Sequence, residues 1–195
     1  MQTKGDLTRE KVLSEAARLF HQKGFGATSI NDVVAATGLK KGSLYFHFNG
    51  KDALALAILE KAKEEFLKFL DLSLSGATPG ESLRHFFQGV LEKQKSSGFV
   101  GGCIFGNTAL EMSDKDQRFS SFIKEVFTEW VEKLQRVISD AQASGEVRND
   151  LPAHFLARHV VSTLEGCIML ARLEKDEKLF KNCLKSIEIL IGLKE

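Results

Sequence analysis

Apolar side chains recur every three or four residues along almost the whole chain, and the strict alternation of a half-buried strand is nearly absent. That periodicity restricts the chain to an all-α fold. Its two prolines, Pro79 and Pro152, agree with this, because each stands between periodic segments and neither interrupts one. Local punctuation then divides the chain into about nine helices. The first is predicted from an N-cap at about Thr8 to Lys23, with Val12, Leu13, Ala16, Ala17, Leu19 and Phe20 as its apolar stripe. It stops at Gly24, where Phe25 falls back toward Phe20. Ser29 and Asp32 form a capping box that opens a second helix ending at Gly38. A third helix covers about Lys40 to Phe46, and Gly50 serves as N-cap of a fourth, Lys51 to about Leu72. Five more are expected at about 80–96, 103–112, 116–143, 152–173 and 175–192.

Composition excludes several classes. The 195 residues, 43% hydrophobic and 27% charged, suffice for a sizeable core, either as one domain or as a small domain fused to a larger one. No apolar run approaches the roughly 20 residues that span a bilayer, and the N-terminus lacks a hydrophobic signal core. Three widely spaced cysteines, Cys103, Cys167 and Cys183, suit a reducing cytoplasm better than a disulfide framework. There is no metal-ligand spacing, no phosphate-cradling glycine loop after a strand and no identifiable base for Cys103. The expectation is therefore no metal, no cofactor and no catalytic site. Net charge is only +1, but residues 1–52 hold eight Lys/Arg against five Asp/Glu, so the basic excess lies at the N-terminal end.

That end contains a helix, a glycine turn at Thr37-Gly38-Leu39 and a second helix, the spacing of a helix-turn-helix. Lys40, Lys41, Gly42 and Ser43 crowd the start of the second helix, whose free N–H groups and dipole favour phosphate. The run from Thr8 to Leu54 resembles the DNA-binding domain of TetR-type repressors, through Gly24-Phe25, Thr28-Ser29, Ile30, "VVAATGL", "KGSLYFHF" and Lys51 before an acidic residue and Leu54. Length and helix layout are also similar to that family. The resemblance implies a helix-turn-helix domain over 1–50 and an effector-binding, dimerising domain over 51–195. It implies phosphate contacts from Thr28, Tyr45, His47 and Lys51, and groove entry by Lys40, Lys41, Gly42 and Ser43. This division is physically sensible, since backbone contacts fix register while base edges supply sequence information. From the residues alone, Tyr45 also reads as a packing residue and His47 as a histidine that satisfies a local hydrogen bond, and Leu39, Leu44, Phe46, Phe48 and Leu54 are expected to face inward. Two departures from the family pattern stand out: Lys40 where a small capping residue is frequent, and Gly50 where Ser is frequent.

The remainder is less specific. Leu179, Cys183, Ile187, Leu190 and Ile191 form a stripe on the last helix that could face either the chain's own core or a second copy. By the resemblance, the last two helices pair in a homodimer, which suits a pseudopalindromic operator. Phe66, Phe86, Phe105, Phe122 and Trp130 are candidates for an aromatic effector pocket, although aromatics at this spacing also serve as plain core. "GGCIFG" places Cys103 in the first turn of a helix, where a thiol pKa is lowered. The segment is similar to a "GC" element in a branch of the family that senses electrophiles through cysteine. The functional expectation is a repressor released by a small hydrophobic or electrophilic effector. A helical DNA-binding protein without an effector is the alternative.

Overall fold

The computed structural model describes residues 3–194. Among these residues the chain forms nine helices: α1 (Lys4–Lys23), α2 (Ile30–Thr37), α3 (Lys41–His47), α4 (Lys51–Ser73), α5 (Pro79–Ser96), α6 (Ile104–Met112), α7 (Gln117–Ala143), α8 (Ala153–Glu174) and α9 (Glu177–Ile191). None is long and apolar enough to cross a membrane.

The helix ends follow local chemistry. α1 begins earlier than the Thr8 expectation, because Thr3 and Asp6 form a reciprocal capping box and the Thr8 hydroxyl instead donates to the Lys4 carbonyl at 2.9 Å. Gly24, at φ 87°, ends α1 by donating its N–H to the Phe20 carbonyl at 2.9 Å, and the Phe25 ring sits edge-on to Phe20 at 5.6 Å. The Ser29–Asp32 box opens α2, and Gly38 closes it in the left-handed conformation. No side chain caps α3, since Lys40 carries no acceptor for the free N–H groups.

Two buried clusters hold the molecule together. One joins α1, α2, α3 and the first half of α4 to Phe105, Met112, Phe119 and Ile123 of α6 and α7. The other gathers Leu70 with α5, the C-terminal half of α7, α8 and α9. Phe66 on α4 packs against both. Residues just past position 50, Leu54 to Leu59 of α4, pack in the first cluster, and Leu70 of the same helix packs in the second. The apolar stripe on α9 divides between the two faces left open for it. Ile187 and Ile191 are buried in the chain's own core with Phe180 and Leu184, while Leu179, Cys183 and Leu190 are half-buried at its edge. α9 is apolar on more than one face, and the stripe chosen from sequence runs from the core to its half-buried edge.

Candidate nucleic-acid interface and adjoining cavity

The turn between α2 and α3 is fixed from within. The Thr37 hydroxyl donates to the Val33 carbonyl at 2.8 Å and accepts from the Leu39 N–H at 3.4 Å. Leu44 and Phe48, one helical turn apart, pin α3 to the core at 0% and 4% exposure. The opposite face is then presented outward: Lys40, Lys41, Gly42 and Tyr45 are exposed, and Ser43 and His47 are half-exposed. Phe46 was expected inside but is 84% exposed. Two residues beyond Leu44 is about 200° around the helix, so a helix anchored by Leu44 and Phe48 must turn Phe46 out. Gly42 is informative in another way. Nothing in the protein lies within 4 Å of the Cβ it lacks, so no internal contact requires glycine in this exposed helix.

Thr28 also departs from its expected role. It is 1% exposed, and its hydroxyl donates inward to the Gly24 carbonyl at 2.8 Å, so it braces the α1–α2 turn and does not present a free hydroxyl. Lys51 has a local engagement as well: its ammonium donates to the Gly26 carbonyl at 3.2 Å and lies 4.3 Å from the centroid of the Phe25 ring. Lys23 pairs with Asp32 at 3.3 Å. Hydrogen bonds from Ser29, with help from Lys23, hold the Asp32 carboxyl down at about 2.

Beside this surface lies a partly open cavity of about 500 Å³, bordered by α1, α4, α5, α6, α7 and α8. Phe66 organises its aromatic wall, with ring centroids 5.0 Å from Trp130 and 5.6 Å from Phe105. Three of the five aromatic residues proposed from sequence, Phe66, Phe105 and Trp130, therefore line it. Phe86 does not: it is fully buried against Phe69 and Phe87. Phe122 lies outside the cavity, beneath the Lys63 ammonium at 5.8 Å. Sequence reading missed two contributions. Leu13, Ala17 and His21 bring α1 into the wall, and Glu165 brings a carboxylate from α8. The latter had a readable signal, because Glu165 is four residues after Val161 and three before Ile168, on the apolar stripe of its helix.

Two polar atoms among the lining residues are buried without a partner: Nε1 of Trp130 and Oε1 of Glu165. Burial raises the Glu165 carboxyl above the usual carboxylate range, opposed by a hydrogen bond from Cys103. Gly106 makes room for this side chain, since a Cβ there would collide with Glu165 Oε2.

Residues 12–58 match the family described as bacterial regulatory proteins of the tetR family, and residues 79–187 match the tetracyclin repressor-like C-terminal domain. The chain belongs to the TetR family. Membership makes it a DNA-binding transcriptional regulator and not an enzyme. It is 24% identical over 172 residues to the HTH-type transcriptional repressor DhaR of Mycobacterium sp. strain GP1, covering 87% of this chain and 85% of that protein. A crystal structure of a TetR regulator from Chloroflexus aurantiacus superimposes with a TM-score of 0.87 at 32% identity, covering 97% of this chain and 98% of the other. A regulator of the family from Cytophaga hutchinsonii gives 0.87 at 28%, covering 100% and 98%.

In this TetR regulator α6 connects the cavity to the DNA-binding helices. At its start, Cys103 caps the helix, its Sγ accepting from the Gly106 N–H at 3.5 Å. The expected low-pKa thiol is absent, because burial first and the neighbouring Glu165 charge second push the Cys103 thiol well up. The helix N-terminus acts in the opposite direction and is outweighed. At the other end of α6, the Glu111 carboxylate accepts from the N–H groups of Gly26 at 2.7 Å and Phe25 at 3.3 Å. A second tie runs from α1 to the segment before α6, where His21 Nε2 lies 3.2 Å from the Val100 carbonyl oxygen.

Proposed function

We propose that this TetR regulator is a repressor that binds a pseudopalindromic operator as a homodimer and leaves it when a small, mainly apolar effector occupies the cavity. The observation that carries this reading is the cavity's position. One wall is α1 of the DNA-binding unit, and another is the start of α6, whose far end holds the turn leading into α2. An effector that fits better when α1 and α6 move apart draws the population toward that arrangement by its differential affinity. The Glu111 contact then passes the movement to α2 and α3.

On the DNA side, Lys40, Lys41, Gly42, Ser43 and Tyr45 meet the groove and its rim, and His47 and Lys51 contact the backbone. Thr28 acts indirectly, by shaping the turn. Repression as the sign of regulation is supported by relatives named repressors, DhaR among them. Dimerisation is supported by an exposed apolar face on the last two helices: Phe155, Met169, Leu170 and Leu173 of α8 with Ile189 of α9.

Selection of bound sequences from random duplex DNA tests the proposal. It should enrich a two-fold symmetric site with half-sites about one helical turn apart. Repeating the selection with candidate effectors should abolish enrichment for at least one of them. Enrichment of an asymmetric site, or binding insensitive to every ligand that stabilises the protein, would overturn it.

A further inference from the structure

The cavity's polar atoms narrow the chemistry of what enters it. Buried donors and acceptors in folded proteins nearly always find partners. Here one donor, the Trp130 N–H, and one acceptor, Glu165 Oε1, lack partners among the described residues, and both belong to side chains that line the cavity. The rest of the wall is largely aromatic and aliphatic, the arrangement in which a few polar groups fix a ligand's orientation. Fold stability does not account for the carboxylate. A Cβ at residue 106 would meet Glu165 Oε2, so the carboxylate in its present position occupies space that glycine leaves open.

The charges around the cavity set the sign of the missing partner. Arg18 is paired with Glu15 at 3.0 Å, and Lys61 with Glu10. The Lys93 ammonium, which makes no ion pair among the described residues, rests 5.2 Å from the centroid of Phe69 and 6.0 Å from that of Phe66, so its charge is met by aromatic faces. Glu65 is exposed to solvent at the rim. Glu165 alone is a largely buried carboxylate in the wall, and it makes no ion pair among the described residues.

We infer that the effector is an organic cation: a protonated amine seated on the Glu165 carboxylate, carried by an apolar or aromatic body that offers one hydrogen-bond acceptor to Trp130. This deepens the effector reading given above and rests on it. A bare alkyl chain would leave both polar atoms unpaired, and a carboxylate ligand would oppose Glu165.

Three probes of one shape separate the possibilities: 4-phenoxybutylamine, 4-phenoxybutan-1-ol and 4-phenoxybutyrate. Each has an aromatic body and an ether acceptor, and they differ only in the charge of the head group. Titration calorimetry on the full chain should show the amine binding about tenfold or more tighter than the alcohol, the increment of a hydrogen bond to a charged group. Glu165→Gln should abolish that preference, and alcohol binding retained within a few-fold shows that the variant's cavity is intact. Trp130→Phe should weaken amine and alcohol alike. Equal affinities, preference for the acid, no binding of any probe, or an amine preference that survives Glu165→Gln would each overturn the inference. Operator release is read separately by fluorescence anisotropy. If the amine binds through Glu165 and the operator stays bound, release by effector fails while the cation site stands.

Discussion

Gly42 is the residue whose role is least explained by the fold. It occupies the first turn of a helix, where glycine costs up to about 1 kcal/mol relative to alanine, and no atom of the protein crowds its missing side chain. The cost makes sense if α3 must lie close to a partner outside the chain. Gly42→Ala should therefore raise the thermal midpoint by about 2–4 °C. It should also weaken operator binding on the order of tenfold, within the roughly 1–3 kcal/mol carried by a good contact to a base pair. Calorimetric melts and anisotropy titrations of the same preparation check the two effects, and a gain in both would remove Gly42 from the interface. Glu165 makes the complementary case inside the molecule. Its carboxyl is raised by burial, so the folded state holds that proton more tightly than the unfolded chain. Its contribution therefore favours folding at low pH and is lost as pH rises from the ordinary carboxylate range through the raised folded value. Glu165→Gln should melt higher than the parent at pH 7, with the difference closing toward about pH 4. Paired thermal melts across that range measure it, and a variant less stable at pH 7 would show that the carboxylate has a partner.

At the scale of helices, what was legible in the sequence depended on how far apart the deciding groups lie. The Ser29–Asp32 box, the Gly38 stop and the Gly50 start are written within three or four residues, and all three stand where the sequence placed them. The start of α1 was misplaced because Thr8 resembles a cap, whereas Thr3 has an acidic residue three positions on and completes a reciprocal box. Phe46 was misjudged, and the α9 stripe was left open, for a different reason. Each depends on which face tertiary packing selects, and an apolar side chain does not announce its direction. Three of five pocket aromatics were found because aromatic side chains gather at cavities, but α1's share of the wall needed the fold. Least visible of all was the Glu111 contact to the α1–α2 turn, across 85 positions of sequence. That contact carries a prediction. Hydrogen bonds to a charged group contribute about 1.5–3 kcal/mol, less where solvent reaches them. Glu111→Gln keeps the shape, removes the charge and should lower operator affinity severalfold. It should also reduce the factor by which effector changes that affinity, since α6 then grips the turn less firmly. Operator titrations with and without effector give both numbers, and an unchanged ratio would mean that the coupling runs through another route, with the His21–Val100 contact the next to test.

For the whole molecule, the decisive question is what covers the outer face of α8 and α9. Phe155, Ser162, Gly166, Met169 and Leu173 follow one another at intervals of seven, four, three and four residues, the seam of a helix that packs along a neighbour. The side chains on it are open: Leu173 is 72% and Met169 56% exposed, and Ile189 on α9 is 70% exposed. Gly166 has nothing within 4 Å of the Cβ it lacks, so the chain's own packing does not call for glycine there, whereas close approach of a second helix would. A face of this kind, self-complementary about a two-fold axis, closes a dimer and sets two α3 helices at a fixed separation. Leu173→Glu together with Met169→Glu should therefore yield a monomer by sedimentation at micromolar concentration. Helical content should be unchanged, because neither side chain supports the chain's own core. Loss of the second half-site then removes the gain from tethering, which is about 10²–10⁴ for linked sites. Operator affinity should fall by a factor of that size, although no DNA-contacting residue has been altered. A parent protein that sediments as a monomer, or a double variant that still dimerises, would move the interface elsewhere. In the second case the separation of the two α3 helices, and with it the half-site spacing expected of the operator, would have to be derived again from the new contact.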